Sequence, residues 1–455
     1  MRKLIGVLTG VAALATIAAT QETAPERFAM RVVATGLEGP WEVTWGPDRH
    51  LWVTERTGKR VVRINPATGT KTLALTVPDV FTDVGQDGLL GLALHPDFSF
   101  GMGSDYVYVA HTYDEDPGPA LARRLGIRRY TYDAATATLG RPLDVLRGLP
   151  SHNDHVGGRL VIGPDRRLYV TIGDGGANFG QNRCMANRAL DLPSAAAVQA
   201  RDWSAYWGKI LRIELDGAIP PDNPLIDGVR SHVFSYGHRN PLGLAFGPTG
   251  LLYESEHGPS SDDEVNLIQA GRAYGWPRVA GFQDDKAYVF ANWSAATEPC
   301  AGLPRSENPI PGSVPVQPES SFTHPQFTPP LRTFFTVDTT SDIRGLGSAT
   351  IAPGGLDVYT RDGIPAWRSS LLALSLVRGM VYRLPLAPDG RSVTGTPIEL
   401  FRSANRYRDI AIDPDGRTIY LATDPSGPYR NATGTVVQTL ANPGSILAFT
   451  LSGGQ

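Results

Sequence analysis

Cysteine is scarce, with two in 455 residues. Cys184 and Cys300 form no C-x-x-C spacing, which excludes a zinc-ribbon or dithiol redox motif. Whether the two meet is left open by the sequence. An excess of charge of either sign is also missing: 42 Lys and Arg stand against 45 Asp and Glu, a net −3. That excludes the basic face that nucleic acid requires and a polybasic membrane patch. Long apolar runs are absent beyond the first 20 residues. There, Met1-Arg2-Lys3 opens an uncharged run from Leu4 to Ala19 that ends among small residues. The run is too short for a membrane span and reads as a secretory signal peptide over residues 1–20. Residues 21–455 then read as one exported domain, periplasmic or secreted, in a compartment that permits disulfides. Neither a phosphate-binding G-K-[ST] loop after Gly85-Gln86-Asp87-Gly88 nor a G-x-S-x-G nucleophile elbow is present.

What the chain does have is 50 glycines and 37 prolines alongside 41% hydrophobic residues. Abundant turns with enough apolar surface for a core favour many short strands. A phrase recurs: an apolar residue, a turn built on Pro with Asp, Gly or Thr, then a strand of aromatic and β-branched residues. It occurs at Trp45-Gly46-Pro47-Asp48, Leu94-His95-Pro96-Asp97, Ile162-Gly163-Pro164-Asp165, Phe246-Gly247-Pro248-Thr249 and Ile412-Asp413-Pro414-Asp415. A weaker copy is Ala352-Pro353-Gly354-Gly355. Each phrase predicts a β-hairpin, mostly followed by a further strand such as Val61–Ile64 or Ile210–Leu215. Six such sheets, each unable to bury both faces alone, predict an all-β, six-bladed β-propeller. The surplus length falls in two long loops, 174–205 and 280–342, of the kind that usually carry function.

Five polar segments exceed what hairpins require. In Asp154-His155, an acid beside an imidazole at a strand entrance suits a general base. Arg239-Asn240, fixed by Pro241, offers a permanent cation toward an anion or developing oxyanion. Glu256 through Glu264, with Gly258-Pro259 and three consecutive acids, makes an oxygen-rich segment suited to calcium. Arg406 and Arg408 lie two apart, so a strand would present both on one face toward a polyanion or toward separate carboxylates such as Asp409. Gly85-Gln86-Asp87-Gly88 is a glycine-rich turn into a buried strand.

Together these segments resemble the soluble quinoprotein glucose dehydrogenases, sugar dehydrogenases dependent on pyrroloquinoline quinone (PQQ). The resemblance runs from about Arg31 to Leu451, in the same order throughout, and that family's fold is a six-bladed propeller. It implies oxidation of an aldose at C1 to the lactone, with PQQ and Ca2+ as cofactors and electrons passing to a separate acceptor. It implies His155 as the base, Asp154 as its support, and Gln86 and Asp154 at the sugar. It places Arg239, Asn240, Thr350, Arg406 and Arg408 at PQQ, and the Gly258 and Pro259 carbonyls on the calcium bound to it. Glu264, Tyr274, Ala280, Phe282, Asp284 and Glu319 fall where the family holds further calcium at a subunit contact, which implies a homodimer. The chain departs from the glucose-oxidising members at Val377, where they carry Lys, and at Ser348, where they carry Trp. Two other classes fit a calcium-binding propeller: a lactonase or other hydrolase, and a non-catalytic binding module. Paired Arg406 and Arg408 favour the polyanionic cofactor.

Overall fold

The computed structural model describes residues 26–116, 118–304, 309–338 and 349–453. Residues 1–20, assigned to the signal peptide, and Ser348 lie outside them. Six four-stranded antiparallel sheets are arranged as blades. From the innermost strand outward, blade 1 is Pro40–Trp45, Leu51–Glu55, Arg60–Ile64 and Lys71–Thr76. Blade 2 is Leu89–Leu94, Tyr106–Asp114, Arg123–Asp133 and Thr138–Pro150. Blade 3 is Gly157–Ile162, Leu168–Ile172, Lys209–Ile213 and Val233–Tyr236. Blade 4 is Pro241–Phe246, Leu252–Glu256, Asp263–Ile268 and Arg332–Phe334. Blade 5 is Pro353–Tyr359, Ser370–Ser375, Val381–Pro385 and Ile398–Leu400. Blade 6 is Tyr407–Ile412, Thr418–Thr423 and Ile446–Gly453, and its outer strand is Arg27–Ala34, the first strand among the described residues. Each innermost strand contacts those of both neighbouring blades, so the ring closes. This is the six-bladed propeller predicted from the repeat.

Five of the six Pro turns join the first and second strands of a blade, as expected. The Ala352-Pro353-Gly354-Gly355 copy does not. Pro353–Tyr359 is itself the innermost strand of blade 5, and the chain reverses later, before Ser370. Gly354 and Gly355 are there because the strand runs against blade 6: an added Cβ would meet Tyr407 O at 2.7 Å or Asp409 Oδ1 at 2.0 Å.

Every innermost strand breaks register with its partner near its start, between Pro40 and Glu42, Leu89 and Leu92, Gly157 and Leu160, Pro241 and Gly243, Pro353 and Leu356, and Tyr407 and Asp409. Such bulges bend a strand and re-aim its side chains. Three of them deliver a buried charge cluster to the centre of the ring. Arg159 of blade 3 pairs with Glu42 of blade 1 at 2.6 Å and Asp409 of blade 6 at 3.0 Å, and donates to Leu242 O of blade 4 at 2.8 Å. Its guanidinium also lies 4.5 Å from the Trp41 ring centre. One cation thus ties four blades together.

Candidate active site

The repeat puts two loops of each blade on one end of the ring: the loop entering the innermost strand and the loop leaving the second strand. The Pro turns occupy the opposite end. Gln86, His155, Arg239-Asn240, Thr350 and Arg406 all precede innermost strands. Arg56, Asp174, His257-Gly258 and Asp424 all follow second strands. Segments far apart in sequence therefore converge.

His155 is buried, with φ of 44° in the left-handed region that non-glycine residues rarely occupy. Gly173 makes room for that backbone, since a Cβ there would lie 1.8 Å from His155 O. The sequence pairs His155 with Asp154, but its ring is held by another acid. Nδ1 lies 2.6 Å from Oδ1 of Asp174, which is fully buried. A carboxylate only accepts, so Nδ1 carries the hydrogen and the Nε2 lone pair is free. Nε2 lies 3.9 Å from Asp154 Oδ2. Asp174 is itself fixed: Oδ2 accepts from Trp276 Nε1 at 2.6 Å and Asn187 Nδ2 at 2.8 Å. Asp154 is half-exposed and accepts from Gln86 Nε2 at 2.6 Å. The structure thus joins Gln86, Asp154 and His155 in one line and adds Asp174.

Arg239 is buried, its guanidinium between Phe179 at 4.9 Å and Trp276 at 5.2 Å. Its backbone N–H and that of Asn240 donate to Glu256 Oε2 at 2.5 and 3.2 Å. Burial pushes the Glu256 carboxyl up to about 8 despite these bonds. The Asn240 side chain is fully buried, and both its polar atoms lack a hydrogen-bond partner among the described residues.

A cavity of about 260 Å3 opens among Gln86, Val156, His257, Arg56, Arg406 and Arg408. Arg406 and Arg408 do not take separate carboxylates, and Asp409 belongs to the central Arg159 cluster. Both converge on Asp424, at 3.2 Å from Arg406 Nε and 2.8 Å from Arg408 Nε. Burial alone would raise the Asp424 carboxyl, but Arg408 and Arg406 hold it below its ordinary value. Three guanidiniums and one carboxylate therefore line the cavity. Burial, then the Arg239 charge, pushes His257 down to about 3. Its neutral ring donates from Nε2 to Pro353 O at 2.7 Å.

The three consecutive acids do not point one way. Asp263 is spent on its own surroundings: Gly258 N–H at 2.9 Å, Thr350 Oγ1 at 2.5 Å and Ile351 N–H at 2.6 Å. The Thr350 hydroxyl thus donates to Asp263, and Thr350 lies outside the cavity lining. The 258–262 turn is tight: a Cβ on Gly258 would lie 1.8 Å from Ser261 O and 2.6 Å from Asp262 O. Only glycine leaves these carbonyls their place. Val377, where the resemblance expects a lysine, accepts from Arg430 N–H through its carbonyl at 2.6 Å.

A second group of oxygens lies behind blade 4. Glu319 accepts from Ala280 N–H at 2.9 Å and Asp285 N–H at 3.1 Å, and Glu264 from Gly281 N–H at 2.6 Å. Both acids are buried, and among the described residues neither has a cationic partner. Burial pushes Glu319 up to about 8 and raises Glu264 well above its ordinary value. Asp284 lies in the same segment, paired with Lys286 at 3.3 Å, and Phe282 is exposed. The Tyr274 side chain turns elsewhere, stacking on His238 with ring centres 4.8 Å apart.

The 174–205 loop packs on the site through Phe179, beside the His155 ring, and is tied in turn to the 280–342 loop. A Cys184–Cys300 disulfide joins them, and Asn178 bridges to Ala291 O at 2.6 Å and Trp293 N–H at 2.9 Å. Arg56, Asp174 and Asp424 were not singled out from sequence. Their one signal was the register of the repeat, which puts each of them just after a second strand.

The model of the glucose/sorbosone dehydrogenase family matches residues 37–299 and 340–431. The quinoprotein glucose dehydrogenase B of Acinetobacter calcoaceticus is 42% identical over 439 residues, covering 93% of this chain and 91% of that protein. An aldose sugar dehydrogenase of Escherichia coli is 28% identical, covering 89% and 92%. Among solved structures, the PQQ-bound aldose sugar dehydrogenase of Streptomyces coelicolor superposes with a TM-score of 0.63 at 26% identity, covering 94% of this chain and 99% of that one. The chain belongs to the glucose/sorbosone dehydrogenase family.

Proposed function

We propose that the protein is a PQQ- and calcium-dependent aldose dehydrogenase that oxidises the sugar at C1 to the lactone. One observation carries the reading: a free His155 Nε2 beside the Gln86–Asp154 pair, whose Gln86 lines a cavity with three guanidiniums and a single carboxylate. The residues suit a flat polycarboxylate. Arg406 and Arg408 are two cations sharing one counter-charge, and buried Asn240 has both polar atoms unspent. The Gly258 and Pro259 carbonyls suit a hard cation, and the tight turn behind them leaves no room for a side chain.

When bound, PQQ and its calcium supply the two-electron acceptor and its polarisation. The chain supplies the rest. Gln86 and Asp154 hold the sugar's hydroxyls. His155 Nε2 takes the proton from the anomeric hydroxyl as the C1 hydrogen leaves with its electron pair, and C1–O becomes the lactone carbonyl. Asp174 holds Nδ1–H and offsets the charge gained by the ring. Arg239, stacked between two aromatic rings, presents a fixed cation where negative charge develops.

Glu264 and Glu319, with the Ala280–Asp284 segment, are assigned to a second calcium at a homodimer contact. Tyr274 joins that set through its backbone alone, because its ring faces His238. Export to the periplasm or exterior follows from the basic, then apolar, N-terminus and agrees with the disulfide. Electrons then pass to a separate acceptor.

The test adds PQQ and calcium to the purified apoprotein and follows the PQQ absorbance and dye reduction with several aldoses. The reading predicts a PQQ-dependent spectrum and turnover; neither appearing would end it. His155→Ala should keep the spectrum and lose about 10²–10⁴-fold in kcat.

A further inference from the structure

Arg56 lines the cofactor cavity but is bonded to the sugar side. Its Nη1 donates to Gly85 O and to Asp87 O, both at 2.8 Å, the carbonyls on either side of Gln86. Its own carbonyl accepts from Leu89 N–H at 3.1 Å. The Gly85–Leu89 turn is therefore wrapped around one arginine. From that turn, Gln86 N–H donates to Asn153 O at 2.9 Å and Gln86 Nε2 to Asp154 Oδ1 at 2.6 Å.

The placement is electrostatically awkward. Burial, then the neighbouring Arg408 charge, pulls the Arg56 guanidinium below its ordinary value. Arg406 lies in the same cavity wall. Two carbonyls need donors, not a third cation beside two others. Like charges held in one cavity wall, offset only in part by Asp424, Asp87 and Asp83, point to a functional position. An anion bound at Arg406 and Arg408 would relieve this repulsion.

We propose that Arg56 is a positioning residue: it fixes the turn that aims Gln86 at Asp154, and so sets sugar affinity without touching the sugar. The identity of the ligand rests on the dehydrogenase reading above; the geometry does not. The test compares wild type, R56M, R56K, Q86A and the R56M/Q86A double variant, each titrated with PQQ in the presence of calcium. With PQQ loaded, R56M should raise KM for glucose about tenfold while kcat stays within about threefold, as expected for losing charge-assisted bonds that orient a binding group. R56K keeps the charge and reaches one carbonyl, so it should fall between. The double variant should have the KM of Q86A alone, because both changes act through one group. An unchanged KM in R56M, a fall in kcat larger than the rise in KM, or a double-variant KM equal to the product of the single effects overturns the proposal. Hydrogen exchange of the peptide spanning 84–90 gives a readout independent of cofactor. Exchange in the R56M apoprotein should rise about tenfold. If wild type gives no PQQ spectrum, the dehydrogenase reading fails and this exchange alone decides: a rise sustains the role of Arg56, and no change overturns it. Should R56M fail to fold, R56K carries the same comparisons.

Discussion

Asp174 shows how much one acceptor decides. Both of its oxygens are committed: Oδ1 to His155 and to Gly176 N–H, Oδ2 to Trp276 and Asn187. Asp174→Asn puts an amide NH2 where only acceptors fit. Facing His155 Nδ1–H, it turns the imidazole or reverses its tautomer; facing the Trp276 and Asn187 donors, it loses the bonds that hold the residue against His155. We expect kcat to fall about 10²–10⁴-fold with the PQQ spectrum retained, checked by steady-state kinetics beside cofactor titration. A kcat within threefold of wild type would remove Asp174 from the mechanism. The proposed base could be picked out from sequence, since Asp154 and His155 are adjacent at a strand entrance. It did not reveal Asp174, 19 residues further on. An aspartate beside glycines after a strand looks like any turn until the blades are aligned.

At the scale of elements, the long loops are where the sequence spoke least. They carry little strand pattern, yet a disulfide and a few hydrogen bonds fix them. The Cys184–Cys300 link closes a loop of 116 residues. Removing it should free about 4–5 kcal/mol of unfolded-chain entropy on the loop-closure model. In the 280–342 loop, Glu319 makes a pH-dependent element. Burial pushes its carboxyl up to about 8, above the ordinary 4.5. The folded state therefore binds the proton more tightly, so stability is fully present below about 4.5 and is lost as pH rises toward 8. Calcium-stripped protein should melt at progressively lower temperature from pH 5 to 8, and added calcium should restore it most at pH 8. Glu319→Gln should flatten the pH dependence and remove most of the calcium effect. A melting temperature indifferent to calcium at pH 8 would contradict the assignment.

For the whole molecule, the repeat makes the ring legible, and five of the six Pro turns fall where it puts them. The Ala352-Pro353-Gly354-Gly355 copy does not, because Pro-Gly-Gly marks a turn in isolation, whereas here the glycines let two strands pass closely. The Glu42–Arg159–Asp409 hub was not legible, because its members come from three blades and meet only once the ring closes. Closure itself rests on one pairing. Arg27–Ala34 lies along Ile446–Gly453, and Ser452 Oγ donates to Arg27 O across 425 residues. Deleting residues through Ala34 should expose the Ile446–Gly453 edge, lower the melting temperature and promote association, read by thermal unfolding and size-exclusion chromatography. An unchanged melting temperature would show that the ring holds without that strand. The pairing also orders events in time. The first strand made is the last to find its partner, so throughout synthesis it waits as an open edge with Met30 and Val32 outward. Arg27 and Arg31 punctuate that strand, and charges so placed keep a waiting edge from pairing with another chain before its own C-terminus arrives.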